Sequence, residues 1–402
     1  MNLTRQEQVV RDLAQKVVAA AHSEKNRLIV KRWLDVNALR KPDRAPVWCR
    51  PVACWQELLP DESLVCDDPV LRDAEKNFRM ILIKWDIDDD TPLETFYPLS
   101  AILKVSPPDI WGGRHRQLPN ESLGAWKFAP VLCDPSDYDK LAMPTLTYDK
   151  ASTELAAQKL SDVFGDILPV HIKFYPPYRL TLGTAAADLR GMEQMMMDMI
   201  IEPQLMHRLM AHLRDVDISI MDQAQKNGWI SRNNTGGMYT SENIGPENKS
   251  ATLENCWAAA NSQEYDQVSP SMFEEFCLNY QMPLFKRFGL VSYGCCENLT
   301  HKVDAVLRIP NLRIFTCSAW TNLDTVLERI STNYCIMWRQ KASAVVFAKD
   351  ENELRRQLEE GTSKLRGRRY QIVLRELQTL AGNMDRLHVW TRLAKEAAEK
   401  YC

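Results

Sequence analysis

From residue 46 to its C-terminus the chain alternates short apolar runs with longer stretches of helical periodicity, and few folds accommodate that pattern. Eight runs have strand length: 46–49, 96–105, 168–174, 228–233, 289–294, 312–317, 334–338 and 370–376. Apolar residues recur at helical spacing over 186–200, 203–226, 271–286, 298–308, 321–331, 350–366 and 384–400. Strands that alternate with helices run parallel, joined by right-handed crossovers. Eight such units predict an α/β fold, a closed (β/α)8 TIM barrel rather than an open sheet.

Two helices precede the first strand. The segment 3–24 carries Val9, Leu13, Val17 and Val18 on one face, and Thr4 with Glu7 three residues later forms a capping box. A second helix is predicted over 26–38, and "KPDRAP" then breaks the pattern. The expected organisation is an N-terminal helical extension over 1–40 and a barrel over 41–402. Two long connections, 106–150 and 234–268, follow strands and so belong over the C-terminal face of a barrel, where active sites lie. The Met-rich stretch "MEQMMMDMI" is read as flexible core packing on a helix.

Composition narrows the function classes. The 402 residues are 45% hydrophobic and 26% charged with a formal net charge of −3, which offers no electrostatic footprint for nucleic acid. No run approaches the ~18 uninterrupted apolar residues of a membrane span, and the N-terminus has no signal-type apolar core. Eleven scattered cysteines without a CxxC pair fit reduced thiols, so a cytoplasmic location is expected.

The strand ends nominate a site. In "FGLVSYGCCENLTHKVD" an apolar run ends at Tyr293-Gly294 and is followed by Cys295, Cys296 and Glu297. Two thiolates suit Zn²⁺, whose catalytic sites use three protein ligands and one open position. The alternative is that one cysteine packs under the barrel and the other caps a turn. Glu297 can be a ligand or a proton donor. Glu264, on the loop before the helix at 271–286, is a general acid if buried and otherwise a local hydrogen-bond acceptor. Trp48, Trp320, Trp338 and Asn234 also fall at predicted strand ends, where they either line a substrate site or pack in the core. His171, His301 and Cys317 have bland readings: a barrel-lining histidine, a solvent-facing helix position and small-residue packing. The run "RRQLEEGTSKLRGRR" reads as a solvated helix and its end.

Several stretches together resemble the uroporphyrinogen decarboxylase superfamily, from about residue 27 to the C-terminus: "KPDRAPVWCRP", "GDILPVHIKF", "SQEYDQVSPSMFEEF", "YGCCE" with "IPNLR", and "SAWTN". The nearest branch is similar to corrinoid-dependent methyltransferases of O-demethylase systems, part of anaerobic metabolism. The resemblance implies a TIM barrel that moves a methyl group from a small, methoxylated and in some members aromatic, substrate to a corrinoid carried by a partner protein. A homodimer is a family-level expectation. It also implies zinc at the strand end, where the ligand set in this chain would be Cys295, Cys296 and Glu376. Tyr293 stands where the methyltransferases place the histidine of a His-x-Cys pair, and is expected on the substrate side. Thr300 and Gln378 occupy positions that are histidine in close members of the branch. Of the decarboxylase's carboxylate-gripping arginines only Arg50 has a counterpart, which argues against porphyrin decarboxylation.

The leading expectation is therefore methyl transfer, with Glu297 or Glu264 as proton donor and the tryptophans as walls. The alternatives are a decarboxylase of a non-porphyrin acid, using Arg50, Lys173 and Arg339, and a non-catalytic small-molecule-binding protein.

Overall fold

The computed structural model describes residues 3–107, 115–116, 128–246 and 250–401, so most of the predicted excursion 106–150 up to residue 127 lies outside it. Eight strands run in parallel ladders: β1 (Val47–Pro51), β2 (Tyr97–Ser100), β3 (Val170–Lys173), β4 (Trp257–Ala260), β5 (Leu290–Tyr293), β6 (Leu312–Cys317), β7 (Cys335–Gln340) and β8 (Arg369–Leu377). Six of them form one curled sheet in the order β1-β8-β7-β6-β5-β4, and β2 pairs with β3 separately. The hydrogen bonding therefore makes a six-stranded half-barrel plus a two-stranded piece, where the sequence led us to expect a closed ring.

Side chains stand where ladders would close the two gaps. Beside β1, the Asp90 carboxylate accepts the Val47 N–H at 2.7 Å, and the Asp89 carboxylate accepts the Cys49 N–H at 2.8 Å. Beside β4, the Asn233 side chain accepts the Trp257 N–H at 2.8 Å and donates to the Trp257 carbonyl at 2.9 Å. Backbone groups that a neighbouring strand would satisfy are thus satisfied anyway, as burial demands. Asp90 is itself buried between Arg32 at 2.7 Å and Arg44 at 2.6 Å, a pairing in which removal of one partner would strand a buried charge.

The predicted fourth strand is corrected. Residues 228–233 are not a regular strand; a backbone bond joins Ser231 to the Phe174 carbonyl. The strand lies instead at Trp257–Ala260, inside the stretch read as a loop. Its sequence, WAAA, has little intrinsic strand preference, and pairing along the whole of β5 holds it extended.

Strand parity sorts the side chains into two faces. Ile314, Met337 and Val373 face inward, where Ile29, Trp33 and Val36 of the helix Glu24–Asn37 fill the concave side together with Trp257. Val291, Tyr293, Phe315, Ile336, Ile372 and Leu374 face outward into the helix layer. The first helix, Arg5–Ala21, has the expected capping box, with Glu7 N donating to Thr4 Oγ1 at 3.3 Å. The predicted helix 186–200 is split at Gly191 into Leu182–Arg190 and Met192–Ile201, and Met195 and Met199 of the Met-rich stretch are buried. The helix predicted over 298–308 shrinks to Val303–Val306. No helix among the described residues is long and apolar enough to cross a membrane.

Candidate functional site

The chain leaves β5 through Gly294, whose φ of +108° is open to glycine and strained for other residues. A Cβ there would also meet Thr316 Cβ at 2.9 Å and Leu299 Cδ1 at 3.0 Å. This turn carries Cys295 and Cys296 over the C-terminal end of the half-barrel, with their sulfurs 3.5 Å apart.

Glu376 reaches the same place from β8. The β1–β8 register shifts between Cys49/Leu374 and Pro51/Leu377, and Glu376 sits in that irregularity with φ +62°. Bulges re-aim side chains. Here two consecutive residues converge: Arg375 Nη1 lies 3.7 Å from Cys295 Sγ, and Glu376 Oε1 accepts from Cys296 Sγ at 3.2 Å. One ligand atom each from Cys295, Cys296 and Glu376 falls within 4.8 Å of the others.

Arg339 ties the cluster together from the inward face of β7. Its Nη1 donates to the Cys295 carbonyl at 2.8 Å, to Glu376 Oε1 at 3.1 Å and to Cys295 Sγ at 3.6 Å. The hydrogen bond with Cys296, then the charges of Arg339 and Arg375, hold the Cys295 thiol well below the usual range. Cys296 moves the opposite way, because its proton is shared with Cys295 and burial disfavours a second thiolate.

Glu297 braces the turn. Its carboxylate accepts the N–H groups of Ser262 and Cys295, both at 2.9 Å, while its own carbonyl accepts from Ser318 Oγ at 2.7 Å. The ends of β4, β5 and β6 are joined through this one buried residue. Burial raises its pKa. Both carboxylate oxygens are engaged by backbone, which suits a positioning role.

Glu264 lies on a neighbouring cavity of roughly 700 Å³ that is also lined by Thr184, Asp188 and Met192. Thr184 Oγ1 donates to its Oε1 at 2.7 Å, and its buried Oε2 has no hydrogen-bond partner among the described residues. Desolvation raises its pKa, and the Cys295 charge adds to that.

The other nominated residues separate by parity. Trp48 faces inward and lines a cavity near the cluster. Tyr293 faces outward and is fully buried, its hydroxyl donating to Gln281 Oε1 at 3.0 Å, so it is not on the substrate side. Trp338 also faces outward, with its ring against Gly361 of the helix Glu351–Lys364, and is not a wall of the mouth. Trp320 is 54% exposed, with the Lys341 ammonium 4.6 Å above its ring. Asn234 spends its amide on the Ser241 carbonyl at 2.9 Å, shaping the loop after residue 233. His171 stacks on Phe96, away from the sulfurs.

Sequence reasoning missed Arg375 and Tyr239. Tyr239 hydrogen-bonds Ser292 of β5 and interacts electrostatically with Arg339, Arg375 and Cys295. Parity along β8 (Gln371 and Val373 inward) was the available signal for Arg375.

No protein-family model matches the chain, and no curated protein matches it. Among solved structures it is similar to a methyltransferase from Methanosarcina mazei, with a TM-score of 0.51 and 11% sequence identity over 92% of this chain and 98% of that one. At that identity the likeness is one of fold, and it extends over nearly the whole of both chains.

Proposed function

We propose that the protein is a methyltransferase that takes a methyl group from a small methoxylated substrate and delivers it to a corrinoid on a partner protein. The observation that carries this reading is the convergence of Cys295, Cys296 and Glu376 at the C-terminal end of the parallel sheet. The fold shared with a methyltransferase supports it.

Two thiols and a carboxylate within 4.8 Å form a donor set that fits zinc, with a fourth position left for substrate. Cys295, Cys296 and Glu376 would hold the ion, which supplies Lewis-acid polarisation of an oxygen leaving group. The chain's own residues prepare that chemistry. Arg339 keeps the Cys295 turn and Glu376 together, and Glu297 fixes the turn against the ends of β4 and β6. Glu264 is the proposed proton donor, since its raised pKa keeps its proton to higher pH than a surface carboxyl would. The mouth, open on the C-terminal side, is where the corrinoid protein would dock.

Two measurements test the reading. Elemental analysis of protein purified without chelator should find about one zinc per chain, lost in Cys295→Ser and Cys296→Ser. Mixing enzyme, cob(I)alamin and a panel of methoxylated compounds should convert the cob(I)alamin spectrum to that of methylcobalamin. No conversion across the panel would sink the proposal. A second reading, decarboxylation of a non-porphyrin acid, is favoured by the arginines Arg50, Arg339 and Arg375 around the mouth. Carbon dioxide release from candidate acids would distinguish it.

A further inference from the structure

A second concentration of charge lies at the opposite end of the sheet. Where the turn 366–369 leads into β8 and the segment 41–45 leads into β1, Lys41, Pro42, Ala45, Arg366, Arg368 and Arg369 surround a cavity of roughly 300 Å³. At about 3.3 Å per residue, Arg369 stands roughly 20 Å along β8 from Glu376, so this cavity is separate from the thiol cluster. No acidic side chain lines it among the described residues. Asp43, within the same segment, turns to Arg32 at 2.6 Å, and the Glu399 carboxylate lies 3.6 Å from Arg44. The buried Cys335 thiol, which feels the Arg369 charge, has its pKa pushed up to about 12 by burial and stays neutral.

Four cations thus meet on one small volume in a chain whose formal net charge is −3. None of the four has an ion pair among the described residues. Two of them are held in place by backbone. Arg368 donates to the carbonyls of Ile330 at 2.8 Å and Leu327 at 2.9 Å, and Arg369 Nε donates to the Leu39 carbonyl at 3.0 Å. The Arg369 Nη groups and the side chains of Lys41 and Arg366 have no hydrogen-bond partner among the described residues. The same holds for the N–H of Gly367, which belongs to the cavity wall. The end of the helix Glu351–Lys364 attracts cations through its dipole, which is reason enough for Arg366. It does not call for Arg369, which opens β8, or for Lys41, which precedes β1, on the same cavity. Like charges gathered without an acidic neighbour are relieved by an anion.

We propose that this cavity binds a phosphate group, free or carried on a small ester. A planar carboxylate is matched by one guanidinium fork. A phosphate spreads about two charges over its terminal oxygens and engages several cations at once, the point charge of a lysine included. The volume falls at the low end of small-molecule pockets (~300–1,000 Å³), which suits a phosphate with a small body and is too little to track a nucleic-acid strand. The ligand ties the N-terminal ends of β1 and β8 together and leaves the thiol cluster at their far ends open. The inference does not depend on the methyltransferase reading.

The test is calorimetric titration of the full chain at fixed ionic strength, with thermal shift in parallel, using phenyl phosphate, inorganic phosphate and benzoate. Phenyl phosphate should bind at least about tenfold more tightly than benzoate. Arg366→Gln and Lys41→Gln, both at exposed side chains, should each weaken phosphate binding at least about fivefold. Arg50→Gln removes the same charge at the other end of the sheet and should leave phosphate affinity within about twofold. Tighter binding of phenyl phosphate than of inorganic phosphate upholds the site with an ester as its ligand, and equal binding upholds it with the free ion. No binding of either phosphate by both methods would overturn the proposal. So would benzoate bound as tightly as phenyl phosphate, affinity unchanged in both cavity variants, or a larger loss in Arg50→Gln than in either of them.

Discussion

Replacing Gly294 by alanine tests whether the turn after β5 holds the thiols where they are. Two costs follow from the geometry. A non-glycine residue at φ +108° carries strain of about 1–3 kcal/mol. The added methyl meets Thr316 Cβ at 2.9 Å and Leu299 Cδ1 at 3.0 Å, inside the packed junction of β5 and β6. Overpacking of that kind costs about 1–3 kcal/mol more. Unfolding entropy of about 2.1 cal/mol/K per residue over a chain of this length gives roughly 0.8 kcal/mol/K, so the melting temperature should fall by about 2–7 °C. Gly228→Ala is the control: φ is +71° there but no atom lies within 4 Å, so only a strain of about 1–2 kcal/mol applies. Differential scanning calorimetry of both variants, with zinc content measured in parallel, reads the result. If Gly294→Ala melts no lower than Gly228→Ala and keeps its metal, the turn is not what positions Cys295 and Cys296.

Two further outcomes follow from the electrostatics. In metal-free protein, Cys295 should react with iodoacetamide at a rate nearly flat between pH 6 and 9, since its thiolate persists below the ordinary cysteine range near ~8.5. Arg339→Gln removes one of the charges responsible and should make the rate climb through that window; a parallel pH profile in the two proteins would contradict the assignment. Asp217, buried with Arg179 N donating to one oxygen at 2.8 Å and the other oxygen without a hydrogen-bond partner among the described residues, has its pKa raised well above the ordinary aspartate value by desolvation. A carboxyl raised on folding binds its proton more tightly in the folded state, so stability is highest below the unfolded pKa near ~3.9 and falls as pH rises towards the folded one. Asp217→Asn should remove that slope in melts recorded from pH 4 upward, and an unaltered slope would place its origin elsewhere.

The local physics written in consecutive residues was readable without coordinates. Thr4 with Glu7 marked a helix start, seven of the eight apolar runs marked strands, and the string ending in Gly294-Cys295-Cys296 marked a strand end that turns. Those features depend on neighbours within a few positions. The strand at Trp257–Ala260 was hidden because its alanines carry no strand preference of their own, and β5, more than thirty residues later, supplies the pairing. Ring closure was equally out of reach: whether strands or side chains satisfy the edges of β1 and β4 depends on where Asp89, Asp90 and Asn233 come to rest.

The site divides along the same line. That cysteines and carboxylates were present at strand ends was a property of the sequence. Which of them meet was decided by tertiary structure, because the inward or outward sense of a side chain depends on strand register and on any irregularity in it. Parity sent Tyr293 and Trp338 into the helix layer and turned Arg339 towards the thiols. A single bulge at Glu376 brought both Arg375 and Glu376 to one pair of sulfurs, a convergence that regular alternation forbids.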